Sequence, residues 1–277
     1  MKTHLASNTS LISIQGIQLQ VEHIAAPAPA TALRRAPIVF LHEGLGSVAM
    51  WRNWPHQVCQ ATGREGWVYS RRGYGDSDPV PDVRGESRLV DGQRQGRLLP
   101  DYMHHEAWSV LPELLDHLGV VSPVLLGHSD GASIALLHAS RHPVAACIVM
   151  APHVKVEDIS VQSIEQARTA YECGDLRERL RRYHADVDGA FWQWNDVWLS
   201  AAFRAFDIRQ DCQRIGAPVL AIQGEDDPYG TMAQIDEIAL PPSQIERVTL
   251  ASCGHSPHRD QTRAATERIV HFLLRQA

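Results

Sequence analysis

From Pro37 onward the chain alternates short apolar runs with longer stretches of helical periodicity. Runs too short for a helix and rich in Val, Ile and Leu predict buried strands near 37–41, 66–70, 123–127, 145–150, 218–223 and 245–250. Helices are expected near 50–62, 102–119, 131–141, 231–238 and 258–275. Strands alternating with helices are the mark of βαβ units, so the expected fold class is α/β, with a mostly parallel central sheet flanked by helices. Ahead of this region, Leu11 to Ile24 alternates apolar and polar residues around Gly16, as a hairpin at a sheet edge would. Ala25-Ala26-Pro27-Ala28-Pro29-Ala30 then reads as a linker-like loop.

Two segments break the alternation. Residues 79–100 are rich in Pro, Gly, Arg and Asp with little apolar periodicity, which predicts a long surface loop of a kind that is usually functional or mobile. From about Pro152 to Ile215 the chain shows helical charge patterning between Asp175 and Arg182, then the aromatic stretch Phe191-Trp192-Gln193-Trp194-Asn195-Asp196-Val197-Trp198. A chain of 277 residues, 44% hydrophobic, can bury one large core plus a modest insertion. The expected division is a core of residues 1–151 and 213–277 with a helical insertion at 152–212.

Chemistry enters at Gly127-His128-Ser129-Asp130-Gly131, which follows the apolar run Val124-Leu125-Leu126 and precedes the helix-like Ala132-Ser133-Ile134-Ala135-Leu136-Leu137. A serine hydroxyl attacks a carbonyl only when a base takes its proton and the side chain stands clear of the backbone. Glycines two residues before and after the serine let strand and helix approach closely enough to hold it at the apex of a strained turn, the nucleophile-elbow pattern. Such a pattern expects an acid and then a histidine downstream. Pro218 to Gly224 reads as a strand delivering Glu225-Asp226-Asp227-Pro228, and Ile245 to Leu250 as one delivering Cys253-Gly254-His255-Ser256-Pro257-His258. Three candidates at strand ends in that order form a constellation, because open parallel sheets gather their catalytic groups there. Among the rival serines, Ser133 is expected merely to pack, one helical turn in, and Ser77 to make local hydrogen bonds in its own turn.

At these motifs the chain resembles the α/β-hydrolase family, over nearly all of its length from about Pro37. The resemblance also rests on Phe40-Leu41-His42-Glu43-Gly44-Leu45-Gly46 and on Arg71-Arg72-Gly73-Tyr74-Gly75-Asp76-Ser77-Asp78, each following a predicted strand. It implies Ser129 as nucleophile and His255 as base, with His258 as runner-up. The family's Gly-x-x-Asp spacing from Gly224 selects Asp227 as the acid and leaves Asp226 a solvated turn residue. It further implies an oxyanion hole from the N–H groups of Asp130 and Gly44, and a helical cap over the site at 152–212. The implied function is a serine hydrolase cleaving a small ester or related acyl substrate through an acyl-enzyme, without a cofactor. Carbon–carbon bond hydrolases, thioesterases and lyases of the same fold are the alternatives, and a non-catalytic ligand-binding receptor is a more distant one.

Glu43 stands where the family generally has glycine. It is expected to turn away from the oxyanion and anchor its loop or a water; otherwise it borders the pocket and disfavours anionic substrates. Trp192, Trp194 and Trp198 are candidates for the pocket wall, with Trp194 and Trp198 sharing a helix face at i, i+4. Of fifteen histidines, His258 and the pair His104-His105 read as ordinary polar surface, and no spacing suggests a metal site.

A formal charge of −6 with no Lys/Arg block argues against nucleic-acid and anionic-membrane partners and for a small-molecule substrate. Five scattered cysteines without Cys-x-x-Cys point to reduced thiols. No apolar run approaches membrane-spanning length and Met1 to Asn8 lacks a signal-peptide core, so a cytoplasmic enzyme is expected, with a homodimer left open.

Overall fold

The sheet begins with a tight turn. Gln15 and Gly16 both take left-handed backbone angles (φ 51° and 74°), and this reversal pairs β1 (Thr9–Ile14) antiparallel to β2 (Ile17–Ile24), Ile14 opposite Ile17. The computed structural model describes residues 9–27 and 35–276; Met1 to Asn8 and Ala28 to Ala30 of the expected linker lie outside them. The further strands are β3 (Ile38–Leu41), β4 (Gly66–Tyr69), β5 (Arg88–Val90), β6 (Gln93–Gln95), β7 (Val124–His128), β8 (Ala146–Met150), β9 (Val219–Gly224) and β10 (Ile245–Leu250). Eight of them form one sheet in the order β1-β2-β4-β3-β7-β8-β9-β10, parallel from β4 through β10. The strand order reverses direction around β3, so a crevice opens at its carboxyl end, between the loops leaving β3 and β7.

Helices cover both faces, which explains the near-continuous apolar text of the central strands. Val39 and Leu41 point into one core with the helix Asp130–Ala139 and the run of helix over 102–117, while Ile38 and Phe40 point into the other with Trp54–Thr62 and Thr262–Leu274. All ten residues of Asp130–Ala139 are buried. The expected single helix at 258–275 is broken at Gln261, and the one at 231–238 shrinks to Ala233–Asp236. Between β8 and β9 the chain forms the helices Asp158–Cys173, Leu176–Leu180, Val187–Trp198 and Arg209–Cys212. Among the described residues no helix is long and apolar enough to cross a membrane, and all five cysteines are unpaired.

The expected long loop at 79–100 contains a hairpin instead, β5 against β6 with Leu89 opposite Arg94. Asp91 and Gly92 turn it, both at positive φ (51° and 80°). The Asp-Gly pair was the available signal; strands of three residues are too short to show a period of two.

Gly131 lies where the elbow helix crosses β3, and a Cβ there would collide with the carbonyl oxygens of Leu41 and His42. Gly131→Ala is therefore expected to cost about 3 kcal/mol or more, whereas Gly216→Ala, whose Cβ would meet nothing within 4 Å, should be close to neutral. Urea midpoints of the two variants test this, and equal stability would contradict the tight crossing.

Candidate active site

β7 ends at His128 and the next helix begins at Asp130, so Ser129 carries the whole change of direction. Its backbone sits at φ 54° and ψ −121°, a conformation that costs a residue with a side chain about 1–3 kcal/mol. Packing imposes it: a Cβ on Gly127 would collide with the Gly131 carbonyl, and one on Gly131 with the end of β3. Ser129 N–H donates to Met150 O at 2.9 Å, tying the apex to β8.

The three strand-end candidates meet. His255 Nε2 is 2.9 Å from Ser129 Oγ, and His255 Nδ1 is 2.8 and 3.0 Å from the two carboxylate oxygens of Asp227. Gly224 makes this possible, because a side chain there would strike the carbonyls of Cys253 and Gly254 as the histidine loop crosses the end of β9. Gln223 Nε2 and the Tyr229 N–H each donate to Asp227 at 2.8 Å. Burial works to raise the Asp227 pKa, but the hydrogen bond and charge of His255, aided by the Tyr229 amide, hold the carboxyl below its usual range. Asp226 is exposed.

The 42–46 loop is held by Arg71, a buried residue that sequence reasoning did not single out. Its Nη1 and Nη2 donate to the carbonyls of His42 (2.5 Å) and Glu43 (3.0 Å), and its N–H donates to His42 Nε2 (3.0 Å). Arg71 Nη2 also lies 4.0 Å from Asp130 Oδ2, which accepts from Tyr102 OH at 2.5 Å. Burial raises the Asp130 pKa, opposed by Arg71 and Tyr102. The N–H groups of Gly44 and Asp130 make no hydrogen bond among the described residues.

Glu43 turns to the side of this loop. Its carboxylate oxygens lie 3.4 Å from His128 Nδ1 and 3.5 Å from Arg259 Nη2. Burial alone would raise its pKa, and those two partners instead hold it well below the usual range. His128 Nε2 donates to His255 O at 2.7 Å, so Glu43 is two contacts from the histidine backbone. His258 is not surface, as expected from sequence: it is buried between Trp51, Trp54 and His128, with ring centroids 4.9, 5.3 and 4.8 Å away. Burial pushes its pKa well down, and neither ring nitrogen has a partner among the described residues.

A second imidazole reaches the serine. His153 Nε2 lies 3.5 Å from Ser129 Oγ, on a backbone clamped by Ser133, whose hydroxyl donates to His153 O (2.8 Å) and accepts from His153 N (2.9 Å). Ser133 thus does more than pack. Ser77, likewise, reaches beyond its turn to accept from the Gln20 N–H of β2. Burial, with the nearby His255 charge, drives the His153 pKa down to about 3. No pattern in the sequence marks this position, since its proximity arises from adjacent strand ends far apart in the chain.

The three tryptophans separate. Trp198 packs on His153 (4.8 Å) and donates to Tyr102 OH (3.0 Å), and Trp194 lies so close over Gly44 that a Cβ there would strike its indole nitrogen. Trp192 turns elsewhere, under the Arg84 guanidinium at 3.8 Å, on a different face of the helix from Trp194 and Trp198. The segment carrying them is pinned to the core loops: His184 accepts from Gly75 N–H and donates to Leu45 O, both at 3.0 Å. Ser160 Oγ and Ser163 Oγ donate to the carbonyls of Tyr229 and Pro228 beside the acid. Among the described residues no group of three or more His, Cys, Asp or Glu is arranged to hold a metal.

A serine on a strained elbow, a histidine and a buried carboxylate on neighbouring ends of a mostly parallel sheet define a hydrolase-type architecture. The chain belongs to the alpha/beta hydrolase family, whose model matches residues 38–268, and it is accordingly a hydrolase. It is 26% identical over 268 residues to the sn-1-specific diacylglycerol lipase ABHD11 of Mus musculus, covering 85% of this chain and 80% of that protein. Among solved structures it resembles a thermophilic esterase from Thermogutta terrifontis (TM-score 0.68, 18% identity, 97% and 98% of the two chains). It also resembles the enol-lactonase from Burkholderia xenovorans LB400 (TM-score 0.69, 20% identity, 96% and 100%). These structural likenesses are likenesses of fold.

The buried imidazoles make the protein acid-sensitive. His42, His153 and His258 have pKa values below 6.5 in the fold, so below that pH the unfolded chain binds more protons and stability falls with pH. The loss is expected to begin near pH 6.5 and, for His153, to continue to about pH 3, joined below about pH 4.5 by the depressed carboxyls of Asp227 and Glu43, whose contribution is lost in the same direction. Chemical denaturation across that range measures it, and His153→Phe should flatten the slope. Constant stability from about pH 7 to about pH 4 would contradict neutral burial.

Proposed function

We propose that the protein is a serine hydrolase cleaving a small ester or related acyl substrate through an acyl-enzyme. The observation that carries this reading is the continuous chain from Ser129 Oγ through His255 to Asp227, with contacts of 2.9 and 2.8 Å. The esterase, lactonase and lipase named among its likenesses support a carboxylic ester over a thioester or a carbon–carbon bond. In this reading Asp227 keeps the proton of His255 on Nδ1, leaving Nε2 free to take the Ser129 proton as Oγ attacks the carbonyl carbon. The oxyanion then accepts from the free N–H groups of Gly44 and Asp130. His255 returns its proton to the leaving alcohol, and water repeats the sequence to release the acid. Arg71 offsets the Asp130 carboxylate, whose charge would otherwise oppose the oxyanion, and the helical segment at 152–212 serves as a cap, with Trp194 and Trp198 over the elbow.

His153 completes the proposal. With the Ser129 hydroxyl donating to His255 Nε2, Oγ can only accept from a second imidazole, which assigns the His153 proton to Nε2. A histidine kept neutral by burial is then a donor that orients Oγ without adding charge.

Three experiments test this. An active-site phosphonate should label the wild type at Ser129 and miss Ser129→Ala; labelling of another serine would sink the assignment. In a steady-state assay Asp227→Asn should lower turnover of a chromogenic ester by about 10⁴, through loss of the correct tautomer, while Asp226→Asn changes it little. The reverse ranking would move the acid by one residue. For His153, replacement by Phe keeps the ring against Trp198 and removes the donor, and is expected to lower kcat about tenfold with little change in KM, with partial recovery in His153→Gln. Unchanged kcat in the Phe variant would reduce His153 to packing.

A further inference from the structure

A cavity of about 170 Å³ lies next to the candidate site, and neither Ser129, His153 nor His255 lines it. One wall is apolar, Ile14, Ile17 and Leu19 from the β1–β2 hairpin; the other is Val80, Leu89 and Leu98 from the segment that carries β5 and β6. This gives the 79–100 segment a place in the fold, since it roofs the cavity. Leu89 lines the cavity and yet is 73% exposed, an apolar side chain at a mouth open to solvent.

The charged groups on the lining do not balance. Arg71, Arg72 and Arg94 face one carboxylate, Glu106. Arg71 is committed to the carbonyls of His42 and Glu43, and Glu106 accepts from Tyr69 OH at 2.8 Å. Arg72 donates through Nη1 to the Arg94 carbonyl at 2.9 Å, which brings the two residues together; Asp78 is the carboxylate that acts on it, from outside the lining. Arg94 is half-buried, and its guanidinium has no hydrogen-bond or ion-pair partner among the described residues. An unpaired guanidinium beside an apolar hollow suits an anion with a planar pair of oxygens.

We infer that this cavity is a binding site for a small monocarboxylate with an apolar body, a short alkyl or aromatic acid. The carboxylate sits on Arg94 beside Arg72, and the body lies between the two apolar walls. Size agrees: an apolar cavity of about 150 Å³ holds a benzene ring, so 170 Å³ takes a ring or a chain of about six carbons. The site does not depend on the ester-hydrolase reading, since none of its walls belongs to the reacting groups.

Calorimetric titration of the full chain with hexanoate and with hexanol tests it. Saturable hexanoate binding is expected, about tenfold tighter than hexanol, weakened about tenfold by Arg94→Gln, which lies on an exposed hairpin and leaves the core intact. Val80→Phe, or Leu98→Phe should the first not fold, fills the hollow and should abolish binding of both. Binding should persist in protein phosphonylated at Ser129. Equal affinity for acid and alcohol, indifference to Arg94→Gln, or loss of binding on phosphonylation would each overturn a separate carboxylate site. Failure of the phosphonate to label at all would count against the hydrolytic reading instead, and the Arg94 and Val80 variants would still decide the cavity.

Discussion

Everything at the site depends on how closely one helix crosses one strand. The Asp130–Ala139 helix comes so near the end of β3 that position 131 has no room for a side chain. That contact sets the left-handed conformation of Ser129. It also brings the 42–46 loop, Arg71 and the elbow into a shared volume. The strain is borne by a helix with every residue buried, so the burial of its Ile and Leu side chains, at about 1.5–3 kcal/mol each, outweighs it.

Electrostatics around the serine follows from the same compactness. Dry surroundings disfavour charge, and the imidazoles of His42, His153 and His258 are all held neutral by burial. Carboxylates survive only where a partner compensates: Asp227 against His255, Glu43 against His128 and Arg259, Asp130 near Arg71. Glu43 is the instructive case. Its carboxylate would oppose an oxyanion at Gly44, as proposed, and the geometry turns it sideways toward His128 and Arg259. It then supports the loop from the His128 side while Arg71 supports it from the other.

The helical segment between β8 and β9 is tied to the core at both sides of the elbow. His184 bridges Leu45 and Gly75, and Ser160 and Ser163 hold the loop that carries Asp227. Its aromatic stretch therefore bears on the candidate site through fixed contacts, Trp194 on Gly44 and Trp198 on His153. The side cavity roofed by β5 and β6 shares Arg71 and Tyr102 with the surroundings of Asp130, so an occupant there would touch Arg71, which holds the 42–46 loop.

Local regularities were legible in the chain by itself. Apolar runs separated by helical periodicity gave the parallel strands nearly residue for residue, because burial on both faces leaves little freedom of composition. The glycines around Ser129 were equally readable, since close backbone approach admits no other residue, whereas Asp227 was selected over Asp226 only through the resemblance to the family's Gly-x-x-Asp spacing. The β5–β6 hairpin escaped notice because two three-residue strands carry no period, although Asp91-Gly92 announced the turn. What the sequence could not decide was which residues from distant elements would be neighbours. His153, His128, Arg71 and the burial of His258 arise from side chains meeting across strand ends tens of residues apart, and the separation of Trp192 from Trp194 and Trp198 depends on helical phase against a core whose position only the fold supplies. Motifs record backbone constraints that act over a few residues; the electrostatics and walls of the site are set by through-space packing, which no short stretch of sequence encodes.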